Sequence, residues 1–167
     1  MLHFVENNEN VISVVWRILS CYSIKVTHRM VIDYIKTHPD YPSLKSICDF
    51  FDEINIRNYA LKMDKADLFK LEQPFLAYLK VNRGRFFLVY SIDNGNVIYT
   101  DSLHGRRTTT ISNFLDNWDG VVIIIEPDVL SGQSDYLEKR KKVIVYILLV
   151  SFLAFSLSSF ILALSLI

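Results

Sequence analysis

From Val143 to Ile167 the chain carries no charged side chain; the run VIVYILLVSFLAFSLSSFILALSLI is interrupted only by serines and one tyrosine. A bilayer hydrocarbon core about 30 Å thick is crossed by roughly 20 apolar helical residues, so this run is expected to form one tilted transmembrane helix. Serine hydroxyls bond back to the helix's own carbonyls and do not prevent insertion. The block Glu138-Lys139-Arg140-Lys141-Lys142 stands immediately before it. Four cations against one anion place that end on the cytoplasmic side by the positive-inside rule. The expected location is therefore the cytoplasmic (inner) membrane, single-pass, with the N-terminal domain in the cytoplasm. A lipid bilayer is the first expected partner, and the basic block suits anionic headgroups.

The remainder is long enough for one domain with a proper core. The expected organisation is a domain over 1–130, a basic juxtamembrane linker over 131–142 and the transmembrane helix over 143–167. Lys plus Arg equals Asp plus Glu, at 18 each, so no net field draws in nucleic acid. The opening MLHFVENNEN lacks a basic n-region and an apolar h-region, so no secretory signal is expected. Cys21 and Cys48 show no metal-type or Cys-x-x-Cys spacing, which fits a reducing compartment. With five glycines and no phosphate-cradling loop, neither a cofactor nor a metal is expected.

The apolar positions Val11, Val14, Val15, Ile18 and Leu19 repeat at helical spacing, and Asn10 is a reasonable N-cap for a helix over 11–22. A second helix is expected over 27–37, ending near His38 because Pro39 disfavours helical geometry before it. Ser43 is expected to cap a third helix reaching about Ile54, with Leu44, Ile47, Cys48 and Phe51 on one stripe. Beyond Asn55 the pattern becomes extended. Strands are expected over 57–63, 75–81 and 85–92, with a short helix over 65–70. The Asp93-Asn94-Gly95-Asn96 turn signals a hairpin into 97–100. A helix over 110–118, capped by Ser112 if it starts late, precedes Val121 to Glu126. That β-branched run reads as a strand buried on both faces. Helices followed by an antiparallel sheet mean α+β.

Several strings carry a family resemblance. They are LSCYSIKV (Leu19 to Val26) with the later SLKSICDFF, GRFFLVYSIDNGNVIYTDS (Gly84 to Ser102), and ISNFLDNWDGVVIIIEP (Ile111 to Pro127). Together they resemble the cysteine peptidase family that trims double-glycine (bacteriocin) leader peptides, family thirty-nine, over roughly residues 5 to 127. The resemblance implies a papain-like fold. A narrower resemblance rests on HPDYPSL (His38 to Leu44), ALKMD (Ala60 to Asp64) and SGQSDY (Ser131 to Tyr136). These look like the N-terminal peptidase-like domain fused to some vitamin K epoxide reductase-like membrane proteins.

A papain-like peptidase needs a thiolate at the N-terminus of its first helix and a histidine beside it. By the resemblance the nucleophile position falls at Asn10, with no cysteine within ten residues, and the histidine position falls at Arg85. A carboxamide is no nucleophile, and arginine stays protonated and cannot act as a base. Asp101 matches the residue that orients the histidine. The domain thus reads as a degenerate pseudopeptidase, not an enzyme. Cys21 lies at the negative end of its helix, where a thiolate is disfavoured, and Cys48 reads as inert core. Of His3, His28, His38 and His104, the loop histidines His38 and His104 stand as minor candidates for a ligand or proton carrier, and Asp40 and Asp64 show no paired-carboxylate or metal spacing.

The expected function is a membrane-anchored, inactive leader-peptidase-like domain that binds a peptide or a membrane protein partner. Arg85, Asp101, Phe86 and Trp118 are its expected binding residues, with Phe87, Tyr90 and Tyr99 as further aromatic candidates. Two alternatives stand beside it. One is the regulatory N-terminus of a vitamin K epoxide reductase-type thiol-disulfide oxidoreductase; the other is an active leader peptidase or transporter component.

Overall fold

The structure, a computed structural model, describes residues 2–72, 74–100 and 105–164, with side chains from Asn10 to Phe155 within those ranges except at Asn82. Three helices, α1 (Leu2–Cys21), α2 (His28–Thr37) and α3 (Leu44–Glu53), come first. Strands β1 (Arg57–Lys62), β2 (Phe75–Leu79), β3 (Arg85–Asp93), β4 (Asn96–Thr100) and β5 (Arg107–Thr110) follow. The short helix α4 (Ile111–Asn117), strand β6 (Trp118–Glu126) and the long helix α5 (Tyr136–Leu164) complete the chain. The strands form one antiparallel sheet in the order β1-β6-β2-β3-β4-β5. This is the α+β arrangement expected from the sequence.

Each of the early helices starts and stops for a local reason. Thr27 caps α2 by accepting from the Met30 amide, and the helix gives way to extended backbone at His38, ahead of Pro39. Ser43 and Ser46 exchange side-chain and backbone bonds across the first turn of α3, a capping box. Helix α1 departs from expectation. It begins near Leu2, so Asn10 is an interior residue and not an N-cap. Neither proline nor glycine stands between Met1 and Asn10 to stop the helix earlier. Its C-terminal end is closed by Ser23 in the left-handed region (φ 56°), with the Ile24 amide donating to Leu19 O at 3.0 Å.

Further along, three expectations are adjusted. The segment before β2 is a single 3₁₀ turn, Leu68–Lys70, in place of a helix over 65–70. Thr110 caps α4 by accepting from the Asn113 amide, so Ser112 lies inside the helix. Strand β6 starts at Trp118, earlier than the β-branched run announces. Strand β5 has no counterpart in the sequence reading.

The sheet separates two cores. On one face α1, α2 and α3 pack through Val14, Val15, Ile18, Val31, Ile35, Ile47, Phe50 and Phe51 onto Leu76, Phe86, Leu88, Ile123 and Ile125. On the other, Leu68, Phe114 and Trp118 cover Phe75, Ala77, Phe87, Val89, Val97 and Val122. Strand β6 feeds both, as its uninterrupted apolar run requires. Each wholly buried side chain of this size contributes about 1.5–3 kcal/mol.

In β3 the alternation changes hands at Tyr90. The pairing with β4 slips there, from Val89↔Tyr99 to Ser91↔Ile98. One extra residue in β3 is a bulge, and it shifts every later side chain by one face. Tyr90 still shares the helical side with Phe86 and Leu88 by ordinary alternation, and the slip sends Ile92 to the opposite core.

The chain divides into two compact units, residues 1–133 and 134–167. Residues up to Gln133 are stitched to the first unit: Gly132 N donates to Ile54 O, Gln133 N to Lys25 O, and Thr27 N and Oγ1 both donate to Gln133 Oε1. The second unit is α5, which carries the basic block and the start of the apolar run on one continuous helix. Among the described residues no helix is long and apolar enough to cross a membrane, so the transmembrane segment expected at 143–167 is not established by the structure.

Two glycines separate backbone strain from steric exclusion. Gly95 (φ +77°), the second central residue of the Asn94-Gly95 turn, has nothing near the place of a Cβ. Gly84 (φ +90°) has the Tyr78 hydroxyl in that place, and the Tyr78 ring is itself packed against Phe86 at 5.1 Å. Gly95→Ala is expected to cost about 1 kcal/mol, the conformational term alone. Gly84→Ala is expected to cost at least about 2 kcal/mol, because Tyr78 must also move. Chemical unfolding of both variants of the full chain tests the ranking.

Candidate functional site

Position 10 lies on the buried face of α1, and position 85 opens β3. The Asn10 carboxamide meets the backbone of Phe86 twice: Asn10 Nδ2 donates to Phe86 O at 2.8 Å, and Phe86 N donates to Asn10 Oδ1 at 2.9 Å. Among the described residues β4 pairs with β3 only from Leu88 onward, so Phe86 lies past the end of that ladder. The carboxamide pairs with the strand as a peptide unit does, and Asn10 is 1 % exposed.

Arg85 is buried as well, at 2 % exposure, opposite Leu79 on β2 and held in an interaction of its own. Asn10, Arg85, Phe86, Gly84, Tyr78 and Pro42 line a small depression of about 80 Å³. The structure therefore brings together the two positions that the sequence assigned to nucleophile and base. Neither side chain supplies that chemistry. A carboxamide committed to two backbone bonds has no nucleophilic electron pair to offer, and a guanidinium accepts no proton. The location within the helix is also unhelpful to a thiolate, because the favourable field of a helix N-terminus fades within the first turn.

Of the other expected binding residues, Phe86 reaches this depression and Trp118 does not. Phe86 packs into the core under α1, whereas Trp118 packs into the core on the opposite face, its indole N–H donating to Val121 O at 3.0 Å. Phe87 belongs to that second core and Tyr99 packs against it. Asp101 and His104 lie outside the described residues.

Among the described residues, Cys21, Cys48, His28 and His38 are occupied or poorly placed. Cys48 is half-buried, and burial first, with the Asp52 and Asp49 carboxylates after it, pushes its thiol up to about 11. Cys21 is exposed in the last turn of α1, and partial burial raises its thiol despite the nearby Arg106. His28 packs edge-on against Trp16 with ring centroids 4.9 Å apart. His38 accepts from the Asp40 amide through Nδ1 at 3.1 Å, which leaves Nε2 as the protonated nitrogen facing Asp49 Oδ2 at 2.9 Å. That pair fastens the loop after α2 to α3. Among the described residues no group of His, Cys, Asp and Glu is arranged to hold a metal ion.

Sequence reasoning missed the part Asn10 plays. An asparagine before an apolar helical run looks like a cap, and only the early start of α1 turns its side chain to the strand. Asn10→Ala removes both partners of a buried amide and carbonyl. It is expected to destabilise the chain by about 2–4 kcal/mol, read by chemical denaturation. A loss below about 1 kcal/mol is the result for a bond that contributes no more than an ordinary exposed one.

The fold has solved counterparts. The structure matches the peptidase domain of Streptococcus ComA, a bi-functional ABC transporter involved in quorum sensing, with a TM-score of 0.63 and 18% identity, covering 74% of this chain and 93% of that one. A double glycine motif protease from an AMS/PCAT transporter, in complex with the leader peptide, matches with a TM-score of 0.63 and 14% identity, covering 70% and 83%. The N-terminal peptidase C39 like domain of the toxin secretion ATP-binding protein from Vibrio parahaemolyticus matches with a TM-score of 0.54 and 12% identity, covering 74% and 98%. At these identities the likeness concerns the fold. No curated protein sequence matches the chain. The model of the Peptidase C39 family matches residues 2–129, and the chain belongs to that family.

Proposed function

We propose that this chain is a non-catalytic recognition domain of the C39 fold, held at the cytoplasmic face of a membrane by its C-terminal segment. The observation that carries the reading is the Asn10 carboxamide fastened to the Phe86 backbone beside buried Arg85. Where a cysteine peptidase needs a thiolate and an imidazole, this chain has a structural clamp and a permanent cation. The family's sheet and helical layer are retained around those positions, so a peptide surface can persist without the chemistry. The solved double glycine motif protease holds a leader peptide, and a peptide of that kind is the ligand proposed here.

The anchor rests on a separate observation. In α5 the basic block Lys139 to Lys142 is followed by Val143 to Phe155, whose large apolar side chains are exposed all along the helix. Such a helix is unstable in water and stable in lipid, and the charge-free sequence continues to Ile167. The membrane and a peptide or membrane protein are the proposed partners.

Purified full-length chain in detergent micelles, mixed with a fluorescent double-glycine leader peptide, tests the reading. Saturable binding without cleavage is expected. Cleavage abolished by Cys21→Ala overturns the non-catalytic assignment, and no binding at high micromolar peptide removes leader peptides as ligands. For the anchor, the chain is expected to stay in bacterial membranes through alkaline carbonate extraction. Its N-terminal domain is expected to be shielded from protease added to spheroplasts. Release by carbonate is the contrary result.

A further inference from the structure

We propose that an open groove beside α1, distinct from the Asn10 and Arg85 depression, binds an acidic peptide segment that also presents apolar side chains. The proposal rests on the recognition reading and names the place and the ligand class. The groove encloses about 710 Å³, within the usual range of ligand sites. Ile12 and Trp16 of α1, Ile32 of α2 and Tyr90 of β3 give it an apolar floor and aromatic walls. Ordinary strand alternation puts Tyr90 on this side of the sheet with Phe86 and Leu88.

Its charge is one-sided. Arg17, Lys36 and Arg106 line it, His28 adds a titratable nitrogen, and no Asp or Glu lies among the described lining residues. In a chain with equal numbers of acidic and basic residues, three cations and no acid among the described lining residues make a local concentration of positive charge. The cations are also positioned. The Arg106 guanidinium lies over the Tyr90 ring, 4.0 Å from its centroid, and Arg17 Nε donates to Ser13 Oγ at 3.4 Å.

The three cations stand on three separate segments: α1, α2 and the stretch before β5. A single phosphate is recognised by donors converging on one point, whereas distributed cations over an apolar floor suit several carboxylates alternating with apolar side chains. Trp16, edge-packed on His28, offers a rigid aromatic face of the kind that anchors peptide side chains.

The test uses full-length chain in neutral-detergent micelles and two readouts. One is anisotropy of a labelled peptide; the other is maleimide alkylation of Cys21, which is exposed and lines the groove. The probes are a short Glu/Leu peptide, its Lys/Leu counterpart, anionic phospholipid vesicles and inorganic phosphate. The Glu/Leu peptide is expected to bind saturably, to slow Cys21 alkylation, and to weaken as salt is raised. Replacing two rim cations together, Arg17→Ser with Lys36→Ser, is expected to weaken it about tenfold. Both side chains lie outside the cores, and circular dichroism verifies that the variant folds.

Equal binding of the Lys/Leu peptide, or an affinity unchanged in the double variant, overturns the proposal. Protection of Cys21 by vesicles but not by the acidic peptide reassigns the groove to lipid headgroups. Equal protection by phosphate alone reduces it to a general anion site; either result overturns the peptide assignment. A double-glycine leader that binds the double variant at full strength overturns the groove and leaves the recognition reading standing. A leader that is cleaved overturns that reading, whatever the groove binds.

Discussion

The reciprocal bond between the Asn10 carboxamide and the Phe86 backbone is the point from which the rest of the fold is oriented. It fixes the axial position and rotation of α1 against β3 at one place, and the apolar contacts follow from that setting. With Asn10 seated, Val11, Val14, Val15 and Ile18 are turned towards Leu76, Phe86 and Leu88. Hydrophobic packing alone tolerates sliding by a fraction of a turn; a two-point polar bond in a dry interface does not, because any slip leaves a donor and an acceptor unpaired. An asparagine inside a helix is a poor helix former, at a cost of about 0.7 kcal/mol relative to alanine. Two buried bonds offset that cost.

The same position bears on the proposed loss of peptidase chemistry. A nucleophile must have its reactive atom uncommitted, whereas a clamp must have every polar atom committed. Asn10 is of the second kind. Arg85 next to it is likewise accommodated as a buried structural side chain rather than an exposed reactive one. The two remaining thiols do not compensate. Burial lifts both, so the thiolate fraction at neutral pH is smaller than for a free cysteine, and the macrodipole at the C-terminal end of α1 opposes Cys21 further.

Much of this architecture was legible because local chemistry and tertiary structure agreed. Thr27, Ser43, Pro39 and the Asn94-Gly95 turn each act within four residues, and each placed its element boundary closely. The β-branched run at the end of the domain announced β6 as a strand with both faces covered, which the two cores bear out. What escaped was decided at long range. The start of α1 depends on what its first turns pack against, not on a stop signal. Strand β5, read as RTTT, has no apolar alternation of its own and is a strand because β4 offers it an edge. Phe86 and Trp118 read as surface aromatics for a ligand, since a sequence does not reveal which face of a sheet a helix will cover. Asn10 and Arg85 were linked only through a family pattern, and no spacing rule joins residues 76 apart as Asn10 and Phe86 are.

Helix α1 presents two different stripes to its surroundings. Its packing stripe, Val11, Val14, Val15 and Ile18, and its groove stripe, Ser13, Trp16, Arg17 and Ser20, have the same i, i+3, i+4, i+7 spacing, offset by two residues. At 3.6 residues per turn, that offset is a rotation of about 200°, so the two stripes occupy nearly opposite sides of one cylinder. Position 10 belongs to the packing stripe, and Ile12 is shared between the core and the groove. One helix thus carries a polar clamp to β3 on one stripe and lines the groove with another.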